Sequence, residues 1–256
     1  MTLSLRFSLL ILATAWTAAA TPLAVRQGRP VVDGVYVNGN GPFRFLLDTG
    51  AESSQLDVRV AKEIGLVAEY RVELAALGGM RRVPGLGGVR VRLGEAEAAS
   101  ELLLTGLDGV RAWAPDVQGV LGQSFLGRFD YRLDFRAGRV EFGAHERPGI
   151  RAELERGAGV PVVFTSLGRM IVDTGTERLI VFGTARGGAM ILRTAAGIAA
   201  AEKVGTKELV IEGVALRTPG AYSVSKPAGM GVEGLVPATM FAAVFLCNSR
   251  GYIVFE

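Results

Sequence analysis

The chain has 256 residues, 49% of them hydrophobic and 21% charged, enough to bury a core without disulfide or metal staples. Its 28 Lys and Arg against 25 Asp and Glu leave +3, scattered without a basic run, which excludes a nucleic-acid-binding stripe. One cysteine and one histidine exclude an internal disulfide framework, cysteine-based zinc sites and histidine clusters, so any chemistry falls to carboxylates, hydroxyls and backbone.

Residues 1–20 read as an export signal. Arg6 stands near the start, an apolar stretch covers residues 7–16, and Thr17-Ala18-Ala19-Ala20 offers small residues to a signal peptidase. The apolar stretch is too short to span a bilayer, and an uncleaved anchor is the alternative. No cysteine follows it to carry a lipid, and no later segment is long and apolar enough to cross a membrane. The expectation is a periplasmic or secreted protein with no stable membrane insertion once the signal is removed. Residues 21–30 leave little room for a pro-segment and are expected to join a terminal sheet. Cys247 lies among Val244, Phe245 and Leu246 and reads as a buried small hydrophobe.

The rest of the chain repeats itself. Residues 35–48 (VYVNGNGPFRFLLD) match residues 160–173 (VPVVFTSLGRMIVD), and each block runs directly into Thr-Gly. Residues 117–126 (VQGVLGQSFL) match 232–241 (VEGLVPATMF), and each half closes on a hairpin-like segment, 131–142 and 244–255. Three blocks in the same order indicate duplication of one unit. The elements are mostly strands: 43–47, 87–93 with its apolar–polar alternation, 169–172, and a strand–turn–strand over 133–142 pivoting on Gly138. One helix is predicted at 57–65, opened by Asp57 and closed by Gly65. The charged, Gly-bearing stretch 143–159, with Pro148 and the solvated His145, reads as a connector or at most one helical turn. The organisation is therefore an export signal (1–20), a first lobe (21–142), a connector (143–159) and a second lobe (160–256).

Each half places Asp-Thr-Gly after an apolar strand: Asp48-Thr49-Gly50 and Asp173-Thr174-Gly175. At this composition a shuffled chain holds the tripeptide about 0.06 times, so a matched pair is not a chance turn signal. If the two units pack about a pseudo-two-fold axis, the turns meet and Asp48 faces Asp173. Two carboxylates about 4 Å apart repel by roughly 4 kcal/mol at an effective dielectric of 20, about three pK units. Such a pair holds one proton over a broad acidic range. The ionised member takes a proton from a bound water as it attacks a carbonyl, while the protonated member stabilises the charge growing on the carbonyl oxygen.

On these residues the chain resembles the pepsin-like and retropepsin-like aspartic peptidases, over 31–142 and 160–255. The resemblance is carried by Leu46-Leu47-Asp48-Thr49-Gly50-Ala51, Ile171-Val172-Asp173-Thr174-Gly175-Thr176 and Val120-Leu121-Gly122. It implies an all-β fold of two similar barrel-like lobes related by pseudo-two-fold symmetry, with a cleft between them and Asp48 and Asp173 as the catalytic pair. It also implies that Thr49 and Thr174 cross-link the two turns and that Gly50 and Gly175 offer N–H groups to the carboxylates. Ala51 looks like the retroviral form of the motif and Thr176 like the second motif of pepsins.

Two departures stand out. Pro237 occupies the place of Gly122, which predicts a bent or loosened second loop. Thr176 supplies a hydroxyl to the second half only, which points to ionised Asp173 and a proton on Asp48. A flap is expected over Leu77, Gly78, Gly79 and Met80 through Gly88, with a second-lobe counterpart at 194–198. A flexible loop is the competing reading, and Tyr70 stands too early for a flap-tip tyrosine. Trp113 reads as a pocket wall or a plug under a loop, Glu52 as a cleft or solvated residue, Asp130 and Asp134 as strand-edge or turn carboxylates, and Ser53-Ser54 lack a base. The function that follows is an exported endopeptidase acting on extended polypeptide as a monomer, without metal or other cofactor and without nucleic acid. The alternatives are a catalytically silent peptide-binding module on the same fold and a secreted β scaffold whose carboxylates lie apart.

Overall fold

A computed structural model describes residues 20–76, 79–155, 157, 159–183, 190–194, 197–218 and 220–256. Strands take 56% of the chain, while the longest helix, Val58–Glu63, has six residues, so the fold is all-β. The export segment, residues 1–19, lies outside the described residues.

Each half builds the same four-strand unit around its Asp-Thr-Gly. In the first, the hairpin Arg29–Val37 and Asn40–Leu47 turns at Asn38 and Gly39, both at positive φ, as a two-residue hairpin turn requires. Strand Asn40–Leu47 then pairs parallel with Gly119–Leu121, with Leu47 opposite Leu121. Gly119–Leu121 pairs antiparallel with Ser54–Asp57, which runs parallel to Ala96–Thr105. The short strand is thus inserted between the strand entering the motif and the strand leaving it. The second half repeats every pairing: Gly168–Asp173 parallel to Gly234–Pro237, that strand antiparallel to Leu179–Gly183, and Leu179–Gly183 parallel to Ala221–Ser225.

The predicted hairpins close the two halves and join them. Tyr131–Asp134 and Arg139–Phe142 turn through Gly138 at φ 65°, and Ala243–Cys247 pairs with Tyr252–Phe255. Ala243–Cys247 then lies antiparallel on Tyr131–Asp134, so both halves share one sheet. Strand Thr21–Arg26 extends that sheet beside Arg139–Phe142, as expected for the N-terminal stretch. Its other edge is Ile150–Glu153, paired with Tyr252–Phe255. The connector therefore contains a strand where the sequence reading expects loop or a helical turn. An open edge on a hairpin of buried residues captures it, and Ala152 turns into the core. Tyr131, Tyr252, Phe245 and Phe255 are fully buried here. Cys247 is buried as expected, and Asp130 holds the turn at Ser249.

The predicted helix is Val58–Glu63; the Asp57 side chain accepts from Arg59 N at 2.9 Å, and Gly65 follows at φ 73°. Pro237 does not loosen the second loop. It sits opposite Asp173 at the end of a complete parallel ladder and, at φ −67°, opens the short 3-10 turn Ala238–Met240. A proline fits there because that φ is its own. Gly122 has no such latitude: a Cβ on it would lie 2.7 Å from Ala51 O and 2.8 Å from Ser53 O.

Candidate active site

The two Asp-Thr-Gly turns meet where the halves face each other. Thr49 and Thr174, both fully buried, bind reciprocally. Thr49 N donates to Thr174 Oγ1 at 2.9 Å, and Thr174 N donates to Thr49 Oγ1 at 3.1 Å. Each hydroxyl then donates to the carbonyl preceding the opposite aspartate, Thr49 Oγ1 to Val172 O at 2.7 Å and Thr174 Oγ1 to Leu47 O at 2.6 Å. Four buried bonds fix one turn against the other, so the carboxyl positions do not depend on flexible side chains.

The glycines bring the carboxyls together. A Cβ on Gly50 would lie 2.6 Å from Asp173 Cγ, and one on Gly175 would lie 2.6 Å from Asp48 Oδ2. Each motif glycine thus presses its backbone on the aspartate of the other half, an approach open only to a residue without a side chain. Gly50 N donates to Asp48 Oδ1 at 3.0 Å and Gly175 N to Asp173 Oδ1 at 2.6 Å. Both aspartates are less than 10% exposed.

Burial raises both acids above their ordinary value of 3.8, Asp173 well above it. The difference has structural causes. The Asp48 carboxyl accepts from Gly50 N, which favours its ionised form, while the Ala51 N–H donates to the Asp48 main-chain carbonyl at 3.3 Å. Asp173 has the Gly175 N–H and faces ionised Asp48. The Thr176 hydroxyl, expected to serve Asp173, is engaged elsewhere: Oγ1 donates to Arg178 O at 3.0 Å.

Sequence reasoning passed over Arg29. Its Nε donates to Gly175 O at 2.9 Å and its guanidinium lies 4.9 Å over the Trp113 ring. From there its charge favours the ionised forms of Asp173 and Asp48, against their burial. Trp113 is thus a support beneath Arg29, packed on the cluster of Val31, Leu46 and Val110, rather than a cleft wall. Nothing in the spacing of Arg29, 19 residues before Asp48, marks it in the sequence.

A cleft of about 610 Å³ opens on the pair and is lined from both halves. The hairpin Tyr70–Ala76 and Gly79–Leu93 borders it through Val72, Glu73 and Leu74. Of the expected flap residues, Gly79 and Met80 begin the second strand of this hairpin, and Met80 is 51% exposed; Leu77 and Gly78 lie outside the described residues. Tyr70 belongs to the root of this hairpin, not its tip. The second-lobe counterpart is the hairpin Met190–Thr194 and Gly197–Gly205, which reaches the cleft through Leu192; residues 195–196 lie outside the described ones. Glu52 does line the cleft. Ser53 donates to Glu101 Oε2 at 2.6 Å, and Ser54, fully buried, accepts from Gly122 N at 3.0 Å, so both hydroxyls have structural partners.

Residues 34–125, which contain Asp48-Thr49-Gly50, match a family model described as aspartyl protease. No curated protein matches the chain.

Proposed function

We propose that this chain is an exported endopeptidase that hydrolyses peptide bonds with a water held between Asp48 and Asp173. The observation that carries the reading is the crossed seating of Gly50 on Asp173 and Gly175 on Asp48. Ionised Asp48 removes a proton from the water as its oxygen bonds to the scissile carbonyl carbon. Protonated Asp173 donates to the carbonyl oxygen, so the charge growing there meets a hydrogen-bond donor. Asp48, now protonated, delivers that proton to the amide nitrogen as the C–N bond breaks, and the pair returns to one shared proton. An extended substrate lies between the two hairpins, its backbone paired as an added strand. One chain supplies both carboxylates, so a monomer suffices. Export rests on the segment before Thr21; sequencing the amino terminus of the secreted protein is expected to return Thr21-Pro22-Leu23.

The test is turnover of unfolded casein by the parent, Asp48→Asn and Asp173→Asn over acid to neutral pH. Each substitution removes one member of the proton-sharing pair and is expected to abolish cleavage while leaving the circular-dichroism spectrum unchanged. An Asp48→Asn protein that cleaves as the parent does would overturn the mechanism. A parent that binds peptides without producing new termini would make the chain a silent binding module.

A further inference from the structure

The cleft has two unlike walls, although the same topology builds both. On the first wall Gln55 lies beside Leu103 in the parallel pair Ser54–Asp57 and Ala96–Thr105. At the matching place on the second wall, Ile180 lies beside Tyr222. The second wall is apolar: Ile171, Ile180, Val232 and Leu235 line the cleft from one continuous cluster. The first wall carries Glu52, Ser53, Gln55, Glu73 and Glu101.

Glu101 is the fixed member of that polar wall. It is half-buried, and its two oxygens accept from two neutral donors, Ser53 Oγ at 2.6 Å and Tyr70 OH at 2.7 Å. A carboxylate offers about four acceptor positions, so two are left. Among the described residues no Lys or Arg forms an ion pair with Glu101, Glu52 or Glu73. The arginines that share the cleft are engaged elsewhere: Arg169 with Glu155 at 2.5 Å, and Arg29 on Gly175 O and Trp113. Gln55, 3% exposed, accepts from Thr105 Oγ1 through its Oε1 at 2.9 Å. A half-buried carboxylate held in place by neutral donors, without a cation and with acceptor positions left, is a receptor for a charged donor group.

Resting on the endopeptidase reading, we propose that Glu101 is a specificity-determining residue. It seats a lysine or arginine side chain of the substrate on the first wall, while the second wall takes an apolar side chain. Tyr70 and Ser53 position Glu101.

The test begins with the unmodified protein, which needs no variant to fold. Cleavage sites in a mixed peptide pool, identified by mass spectrometry, are expected to carry Lys or Arg at one fixed position near the scissile bond. In a fluorogenic peptide, replacing that lysine by norleucine keeps the chain length and removes the charge. It is expected to lower kcat/KM by about tenfold or more, the ratio a charge-assisted hydrogen bond supplies. Glu101→Gln is expected to collapse the lysine-to-norleucine ratio toward one. Glu101→Lys is expected to invert the preference in favour of a glutamate-bearing peptide. Glu95→Gln, on the exposed turn before Ala96–Thr105, is expected to keep the parental ratio. A parent that cleaves without a basic preference, or a Glu101→Gln protein that retains it, overturns this inference alone. A parent that cleaves nothing overturns the endopeptidase reading and this inference with it.

Discussion

Thr174→Val tests whether the cross-link between the turns holds the halves together. Valine matches threonine in shape, so packing is nearly conserved and only the hydroxyl is lost. That hydroxyl accepts from Thr49 N at 2.9 Å and donates to Leu47 O at 2.6 Å, in a place with no solvent access. The substitution leaves a buried N–H and a buried C=O short of a partner, at about 1–3 kcal/mol each. The expected loss is roughly 2–6 kcal/mol, a large share of the 5–15 kcal/mol typical of a domain. Urea unfolding followed by tryptophan fluorescence measures it, with Thr174→Ser as the control that restores the hydroxyl. Because the same bonds set the spacing of Asp48 and Asp173, turnover is expected to fall more steeply than stability. A Thr174→Val protein within about 0.5 kcal/mol of the parent, the range of an ordinary surface substitution, would refute the cross-link argument. So would a serine variant no more stable than the valine one.

Two further outcomes follow from the charges. Because Asp173 is held well above 3.8, the native state binds more protons than the unfolded chain between 3.8 and that raised value. The pair's contribution to stability is therefore greatest below 3.8 and is lost as pH rises through the raised value. Asp173→Asn is expected to unfold at higher urea than the parent at neutral pH, by about 1.4 kcal/mol per unit of elevation, with the gain vanishing below 3.8. An equal gain at both pH values would place its origin elsewhere. On the shared sheet, Arg132 is 4% exposed and bonds Asp134 and Glu256, each at 2.7 Å. Arg132→Ala leaves Glu256 without its cation and Asp134 with Arg139 alone at 3.8 Å, and is expected to cost about 3–5 kcal/mol in urea unfolding; a loss below about 1 kcal/mol would show that water replaces the arginine.

What the sequence makes legible is what repeats. Asp48, Asp173 and the strands around them stand out because two copies in one order share residues at fixed spacing, and the Asp57 cap and the Gly138 turn carry local signatures that need no partner. The strand Ile150–Glu153 has no such signature: four residues rich in charge become a strand only because the edge of Tyr252–Phe255 is free to pair. Arg29 and Glu101 are equally mute. Each acquires its role from groups distant in sequence, Gly175 for one, Ser53 and Tyr70 for the other. The role expected of Thr176 fails for the same reason. Thr176 stands three residues from Asp173, but its hydroxyl turns to Arg178 O, and adjacency in sequence does not reveal which way a side chain points.

The duplication also explains why the site is unequal before any substrate arrives. Two identical halves would give two carboxylates in identical surroundings, and the proton would have no preferred home. In one chain each turn has its own neighbours. Asp48 receives the Gly50 N–H at 3.0 Å and Asp173 that of Gly175 at 2.6 Å, and burial raises Asp173 the more strongly. The walls diverge by the same freedom, Gln55 standing where the other half has Ile180. On the specificity proposed for Glu101, a substrate entering such a cleft would have one favoured direction: only one orientation would set a basic side chain against Glu101 and an apolar one against Ile180. The chain would then present the scissile carbonyl to Asp48 and Asp173 in a single sense, and the polarity of the two walls would act together with the polarity of the acid pair.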